Sequence, residues 1–120
     1  MNQELERLNG ALDHAIADGS IGIPRFLRCM VVCGGVRNPQ QWFAELLELT
    51  NRLFGGSPPL RFPTGNGDDT IVGELMRWTD GRAALLSVFP GGVERTATID
   101  LMLIGSKGVL YHEEGYPDEQ

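Results

Sequence analysis

The sequence is poor in basic residues, and this narrows its range of partners. Lys107 is the only lysine, the nine arginines are scattered along the chain, and the formal net charge is −6. Proteins that bind nucleic-acid backbones present clustered lysine and arginine side chains. We therefore expect no nucleic-acid partner. Enzyme mechanisms that need a lysine have one candidate at most.

Cysteine and histidine are also scarce, with two of each. Cys29 and Cys33 lie four residues apart in a predicted strand, where that spacing covers roughly 13 Å. A disulfide needs a Cα separation below about 7 Å, and two cysteines without a CxxC motif make a poor zinc site. We expect two small core residues in a reducing compartment, and neither a metal nor another cofactor.

Long apolar runs are absent, so no segment is expected to span a bilayer. The first ten residues, MNQELERLNG, are polar and acidic, whereas a signal peptide is basic and then apolar. The 120 residues, of which 42% are hydrophobic and 22% charged, are typical of one globular domain. We expect a cytoplasmic protein with no membrane partner.

The sequence does contain a long stretch with the pattern of β-strands joined by turns. The predicted strands are residues 70–79, 82–89, 94–104 and a short fourth at 109–111. They are expected to form a meander, in which each strand pairs with the next. Asp80-Gly81 predicts a two-residue type I′ turn between the first two strands.

The residues before this meander predict two helices and two more strands. Leucines on one stripe predict a helix over residues 3–17. Asn38-Pro39 is typical of a helix start, and the second helix is expected to end at Gly55. The two further strands are predicted at residues 25–33 and 60–62. This order predicts an α+β domain over residues 1–112, with a mostly antiparallel open sheet, two helices on one face and an acidic flexible tail at 113–120.

The meander strands carry apolar side chains on both faces, as central strands do when both faces are covered. Two helices can cover only one face, so we expect the other face to meet a partner. The expected partner is a second copy of the chain, or a peptide or protein segment. The residues expected at the contact are Leu86, Val88, Met102 and Ile104, or their neighbours on the opposite face, since the sequence leaves open which face meets the helices.

No group of residues forms a complete catalytic set. Asp68-Asp69 could share a proton or hold a cation, but Gly67 before the pair favours a solvated turn. His112 lacks the second histidine of a metal-binding HExxH motif, so an exposed tail is favoured. The GxGxxG fingerprint of dinucleotide binding is also missing.

Several segments carry a resemblance to a known family. They are DDT…RW-x-DG at 68–81, ERTATIDLMLIGSKGVL at 94–110, G-x-I-G-x-P at 19–24, and a helix ending in Leu-Phe-Gly at 53–55. Together they resemble the C-terminal domain of the Gfo/Idh/MocA oxidoreductases. The resemblance implies an open antiparallel sheet with helices on one side and oligomer contacts on the other. It also implies that full-length members carry a Rossmann domain that binds NAD or NADP.

The sequence departs from the family at the positions of its chemistry. These 120 residues contain neither a Rossmann domain nor the E-K-P motif with the family's catalytic lysine. The aspartate and histidine of the family's D-x-x-x-H helix align with Gln41 and Glu45. We therefore predict a non-catalytic, dimeric binding or scaffold protein that holds a peptide or protein as an accessory factor in a biosynthetic pathway. One alternative is the substrate-side subunit of a split NAD(P)-dependent oxidoreductase. A further one is a small enzyme that uses Asp68, Asp69, Glu45 or His112.

Overall fold

The computed structural model describes residues 3–34, 38–56, 60–65, 71–91 and 97–115. These residues form two helices and six strands. In chain order they are α1 (Gln3–Ala17), β1 (Pro24–Val32), α2 (Pro39–Phe54), β2 (Leu60–Pro63), β3 (Val72–Arg77), β4 (Ala83–Phe89), β5 (Thr98–Gly105) and β6 (Val109–Glu114). The predicted α+β class, with two helices and a mostly antiparallel open sheet, is confirmed. Neither helix in these ranges is long and apolar enough to cross a bilayer.

The strand order is β2-β3-β4-β1-β5-β6. β1 is inserted between β4 and β5, parallel to β4 and antiparallel to β5. The predicted pairing of β4 with β5 is therefore wrong. Leu27, Cys29 and Val31 of the inserted strand are each at most 1% exposed, as expected of a strand paired along both edges.

The predicted tail begins too early. β6 continues to Glu114, whose Oε1 accepts a hydrogen bond from Arg7 Nε of α1 at 2.7 Å. Residues 113 and 114 thus belong to the folded domain, and His112 lies within β6 rather than in a tail. Residues 116–120 lie outside the described ranges.

The turn between β3 and β4 also differs from the prediction. The Trp78 N–H donates to the Arg82 carbonyl at 3.0 Å, and the Gly81 N–H donates to the Trp78 carbonyl at 3.1 Å. These bonds enclose three residues, 79–81, with Gly81 at a positive φ of 95°. This is a three-residue hairpin loop with glycine in the left-handed position. The predicted two-residue type I′ turn is therefore wrong.

The second helix starts where the sequence predicts it. Asn38 accepts a hydrogen bond from the Gln41 N–H at 2.8 Å, and the Gln41 side chain accepts one from the Asn38 N–H at 3.2 Å. This capping box satisfies two backbone donors at the start of α2. Trp42, which follows directly, is 1% exposed and among the largest buried side chains.

Both helices cover the same face of the sheet, which we call the helix face. Along β4 it receives Ala84, Leu86 and Val88, all 0% exposed. Leu86 and Val88 are consequently core residues, and their predicted place at a partner contact is wrong. The other face is called the open face below, and Met102 and Ile104 lie on it, half-buried.

Two of the family-like segments hold each other in place. The Ser106 N–H donates to the Ile23 carbonyl at 2.9 Å, and the Lys107 N–H donates to the Ile21 carbonyl at 2.8 Å. In return, the Ile23 N–H donates to Ser106 Oγ at 2.8 Å. The turn before β1 and the turn after β5 therefore close one end of the sheet together.

A clamp at the end of α2 ties this helix to the β3–β4 hairpin. Arg82 Nη1 donates to the Phe54 carbonyl at 2.6 Å, and the guanidinium lies 5.3 Å from the Phe54 ring centre and 5.7 Å from that of Trp78. Asp80 completes it, with its Oδ2 2.8 Å from Arg82 Nε. The Arg82 backbone and side-chain hydrogen bonds lower the pKa of Asp80.

Replacing Arg82 with alanine is expected to lower the free energy of unfolding by about 1–3 kcal/mol, because a charged hydrogen bond and the stacking contacts are lost together. Arg82→Lys should recover less than half of the loss, since lysine keeps the charge but not the planar group. Urea denaturation measures both. The control is Arg77→Ala at an exposed position on β3, which should change the free energy of unfolding by under about 0.5 kcal/mol. A loss at Arg77 equal to that at Arg82 would contradict the clamp.

Both cysteines are buried, as predicted, and no disulfide joins them. Burial, with a contribution from the negative charge of Asp100, raises the pKa of Cys29 from its ordinary value of 9.0 to about 12. The folded state thus favours the neutral thiol. Its contribution to stability is complete below the unfolded pKa and is lost as the pH rises from about 9 towards 12.

The unfolding free energy of the unmodified chain should therefore fall above pH 9 by up to about 1.4 kcal/mol per pH unit more than that of Cys29→Ala. Urea titrations of both proteins at pH 8, 9, 10 and 10.5 measure this difference. Two parallel pH profiles would show that Cys29 does not become ionised on unfolding.

Candidate functional site

A cleft with polar and apolar walls lies between the two helices. We call it the interhelical cleft. Its volume is about 330 Å³, at the lower end of the size range of small-molecule sites. The residues that line it are Leu5 and Asn9 of α1 and Glu45, Glu48, Leu49 and Arg52 of α2.

Arg52 divides the space between the helices. Its Nη2 donates to Asn9 Oδ1 across the gap, and beyond it lies a second hollow of about 210 Å³, lined by Leu12, Asp13, Ile16, Arg52 and Leu53. Arg52 belongs to both hollows.

The cleft offers both kinds of hydrogen-bonding group. Glu45 and Glu48 bring carboxylate acceptors one turn or less apart on α2, whereas Arg52 and Asn9 bring donors. Leu5 and Leu49 supply apolar walls and are 1% and 4% exposed. A small ligand with several hydroxyl groups could satisfy acceptors and donors at once.

The α2 positions aligned with the family's catalytic pair have different roles here. Gln41 is occupied in the capping box, so its side chain serves the helix start. Glu45 lies one turn further along and lines the cleft. The structure therefore brings one of the two positions to a possible ligand.

The remaining candidates are not brought together with the cleft. His112 lies on β6, its Nε2 3.4 Å from Glu114 Oε1, in the contact between β6 and α1. Asp68 and Asp69 lie outside the described residues. The cleft itself was missed in the sequence, because Asn9, Glu48 and Arg52 belong to no motif and meet only when the two helices pack side by side.

The open face is the second surface with functional interest. A row of side chains crosses all six strands at one level: Phe62, Leu75, Leu85, Arg28, Met102 and Tyr111. Of the large hydrophobic residues more than a third exposed, most lie on this face: Met30, Val32, Leu60, Phe62, Val109 and Tyr111. An apolar patch of this breadth is typical of an interaction surface.

Charged residues on the open face are separated by sign along the strands. Arg28 lies in the central row, and Arg77 lies one level towards the start of β1, in line with Ala83. Asp100 and Glu113 face each other one level in the opposite direction. The face thus has a basic end and an acidic end.

No protein-family model matches the sequence, and no curated protein matches it. The solved structures do give matches. A probable dehydrogenase from Thermotoga maritima matches with a TM-score of 0.69, 15% identity and 88% of this chain covered. Myo-inositol 2-dehydrogenase from Lactobacillus plantarum gives a TM-score of 0.65, 15% identity and 92% coverage. Scyllo-inositol dehydrogenase from Lactobacillus casei, solved with NAD(H) and scyllo-inositol, gives 0.61, 16% and 93%.

These matches establish the fold. The chain has the fold of a part of the Gfo/Idh/MocA-type dehydrogenases, which confirms the resemblance seen in the sequence. It spans only about two-fifths of those structures, 38% of the first, 39% of the second and 40% of the third. The predicted role as a peptide-binding scaffold is wrong, because the structural neighbours are dehydrogenases and nothing in them points to a peptide. The split-oxidoreductase alternative agrees better with these neighbours.

Proposed function

We propose that this domain is the substrate-side part of an NAD(P)-dependent oxidoreductase, completed by a dinucleotide-binding domain outside these 120 residues. The observation that carries the proposal is the extent of the match. Between 88% and 93% of this chain superimposes on dehydrogenases, but only 38–40% of each dehydrogenase is covered. The sequence lacks the glycine-rich phosphate loop, so the nucleotide site has to come from elsewhere.

In this proposal the chain is not an enzyme by itself. A substrate-side domain binds and orients the molecule to be oxidised, and the dinucleotide domain brings the nicotinamide. The nicotinamide cofactor would supply the hydride chemistry. Positioning alone can lower the barrier considerably, because it turns an encounter of two molecules into a step within one complex.

The interhelical cleft is the proposed substrate surface. Its carboxylates and its arginine suit a polyhydroxylated compound, in which each hydroxyl can both donate and accept. One of the structural neighbours was solved with scyllo-inositol, a molecule of this class. The volume of about 330 Å³ is sufficient for one sugar-sized ring.

The proposal is tested by co-purification with a dinucleotide-binding protein encoded beside this chain, followed by calorimetry. We expect the two proteins to bind each other, and scyllo-inositol to bind the complex. Glu48→Gln and Arg52→Ala should each weaken polyol binding about tenfold, since one charged hydrogen bond is worth more than about 1.4 kcal/mol. Glu6→Gln, exposed on α1, is the control. Unchanged polyol affinity in both cleft variants would exclude the cleft.

We further propose that the open face joins two copies of this chain. The domain measures 39 by 37 Å along its two longer axes, and a stable interface needs only about 800 Å² per partner. Met102 and Ile104 would lie within the contact. Light scattering at micromolar concentration should then give the mass of a dimer.

A further inference from the structure

A half-buried arginine lies at the centre of the open face. Arg28 lies on β1, between Leu85 of β4 and Met102 of β5. Its Nε has no exposed surface, and among the described residues it has no hydrogen-bond partner. A buried N–H donor without a hydrogen-bond partner is costly. We therefore expect an anion from outside the chain to accept a hydrogen bond from this side chain.

The matching anion is present on the same face. Asp100 is half-buried on β5, opposite Met30 and two residues from Met102. Although Arg28 and Asp100 occupy neighbouring strands, the described residues contain no ion pair between them. Within the ranges that the structure describes, neither side chain forms an ion pair in its own chain.

We propose that the two copies meet about a two-fold axis that crosses the strands, with Arg28 of each copy paired to Asp100 of the other. This inference rests on the proposed self-association. In a two-fold interface, a contact between one pair of residues is necessarily repeated with the roles exchanged. Such an axis also places the basic end of one open face against the acidic end of the second.

The apolar residues of the central row surround the charges and exclude water from them. Exclusion of water strengthens the attraction between paired charges and raises the penalty for like charges in the same place. The ion pairs would thus select a single arrangement out of the many that an apolar patch allows.

The test uses two charge reversals, Arg28→Glu and Asp100→Arg, in sedimentation equilibrium experiments. Each variant alone should dimerise at least about tenfold more weakly than the unmodified chain, because two like-charged contacts form per dimer. An equimolar mixture of the two variants should restore dimerisation, as heterodimers, since both contacts are then attractive. Native mass spectrometry distinguishes heterodimers by mass.

The mixture is the decisive sample. If Arg28 and Asp100 were paired within one chain instead, mixing the two single variants would not restore dimerisation. A mixture that stays monomeric, or single variants that dimerise like the unmodified chain, would overturn the proposal. The proposal would also be overturned if the unmodified chain were monomeric at about 100 μM, a concentration on the order of the dissociation constants of the weakest specific dimers.

Loss of folding is excluded by comparing the thermal melts of the variants. If a reversal prevents folding, Arg28→Gln and Asp100→Asn replace it, and each should weaken the dimer at least about threefold. None of these measurements involves nucleotide or polyol. Failure here would leave the proposed oxidoreductase role unaffected, and the converse also holds.

Discussion

Replacing Leu86 with alanine should lower the free energy of unfolding by about 2–5 kcal/mol. The side chain is 0% exposed in the centre of β4 and packs under α2. Its truncation removes apolar burial and leaves a cavity that the surrounding core fills only in part. Small domains are stable by about 5–15 kcal/mol, so this loss would be a large fraction of the total. Urea denaturation at pH 7 measures it.

The neighbouring residue provides a matched control with the same chemistry. Leu85 points to the open face and is only partly buried. Leu85→Ala should cost less than Leu86→Ala in the monomer, since part of the Leu85 side chain is already in contact with solvent. In the proposed dimer it should weaken association instead. Equal losses of monomer stability at both positions would contradict the assignment of the two faces.

Replacing Gly105 with alanine should destabilise the domain by about 3 kcal/mol, the upper end of the usual cost of overpacking. A Cβ at Gly105 would lie 2.2 Å from the Ile21 carbonyl oxygen, which is backbone and cannot turn away. The turn that contains Ile21 would have to separate from the turn after β5. The hydrogen bonds that Ser106 and Lys107 donate to this turn would then be strained or lost.

The same substitution at Gly10 should have the opposite effect. Gly10 lies inside α1, and a Cβ there would have no neighbouring heavy atom within 4 Å. Alanine is the better helix former by about 1 kcal/mol, so Gly10→Ala should stabilise the domain by up to that amount. Thermal melting of the two variants separates the predictions by sign. Destabilisation of similar size in both would refute the account of the paired turns.

The local features of the fold could be predicted from the sequence, because each depends on neighbouring residues. The bounds of α1 follow from its leucine stripe, and the start of α2 follows from Asn38 and Pro39. The strand order could not be predicted, since periodicity shows which residues share a face but not which strand lies alongside. β1, 50 residues before β4, is placed beside it only by tertiary packing.

The same limit explains the errors about the site. β4 is apolar on both faces, so the identity of its core face depended on the position of the helices, and Leu86 and Val88 were assigned to the wrong side. The cleft depended on the pairing of α1 with α2. The scaffold interpretation rested on the missing catalytic motifs. A domain that supplies half of a two-domain site need not carry them, because the hydride chemistry belongs to the cofactor and its binding domain.

The central claim is that this domain completes an oxidoreductase, and a spectrophotometric assay tests it most directly. The chain is mixed with the dinucleotide-binding protein that co-purifies with it, NAD⁺ or NADP⁺ and scyllo-inositol, and formation of the reduced nucleotide is followed by its absorbance. The account predicts turnover by the mixture and none by either protein alone, with the rate reduced in Glu48→Gln. A rate no higher than that of the nucleotide-binding protein alone would contradict it.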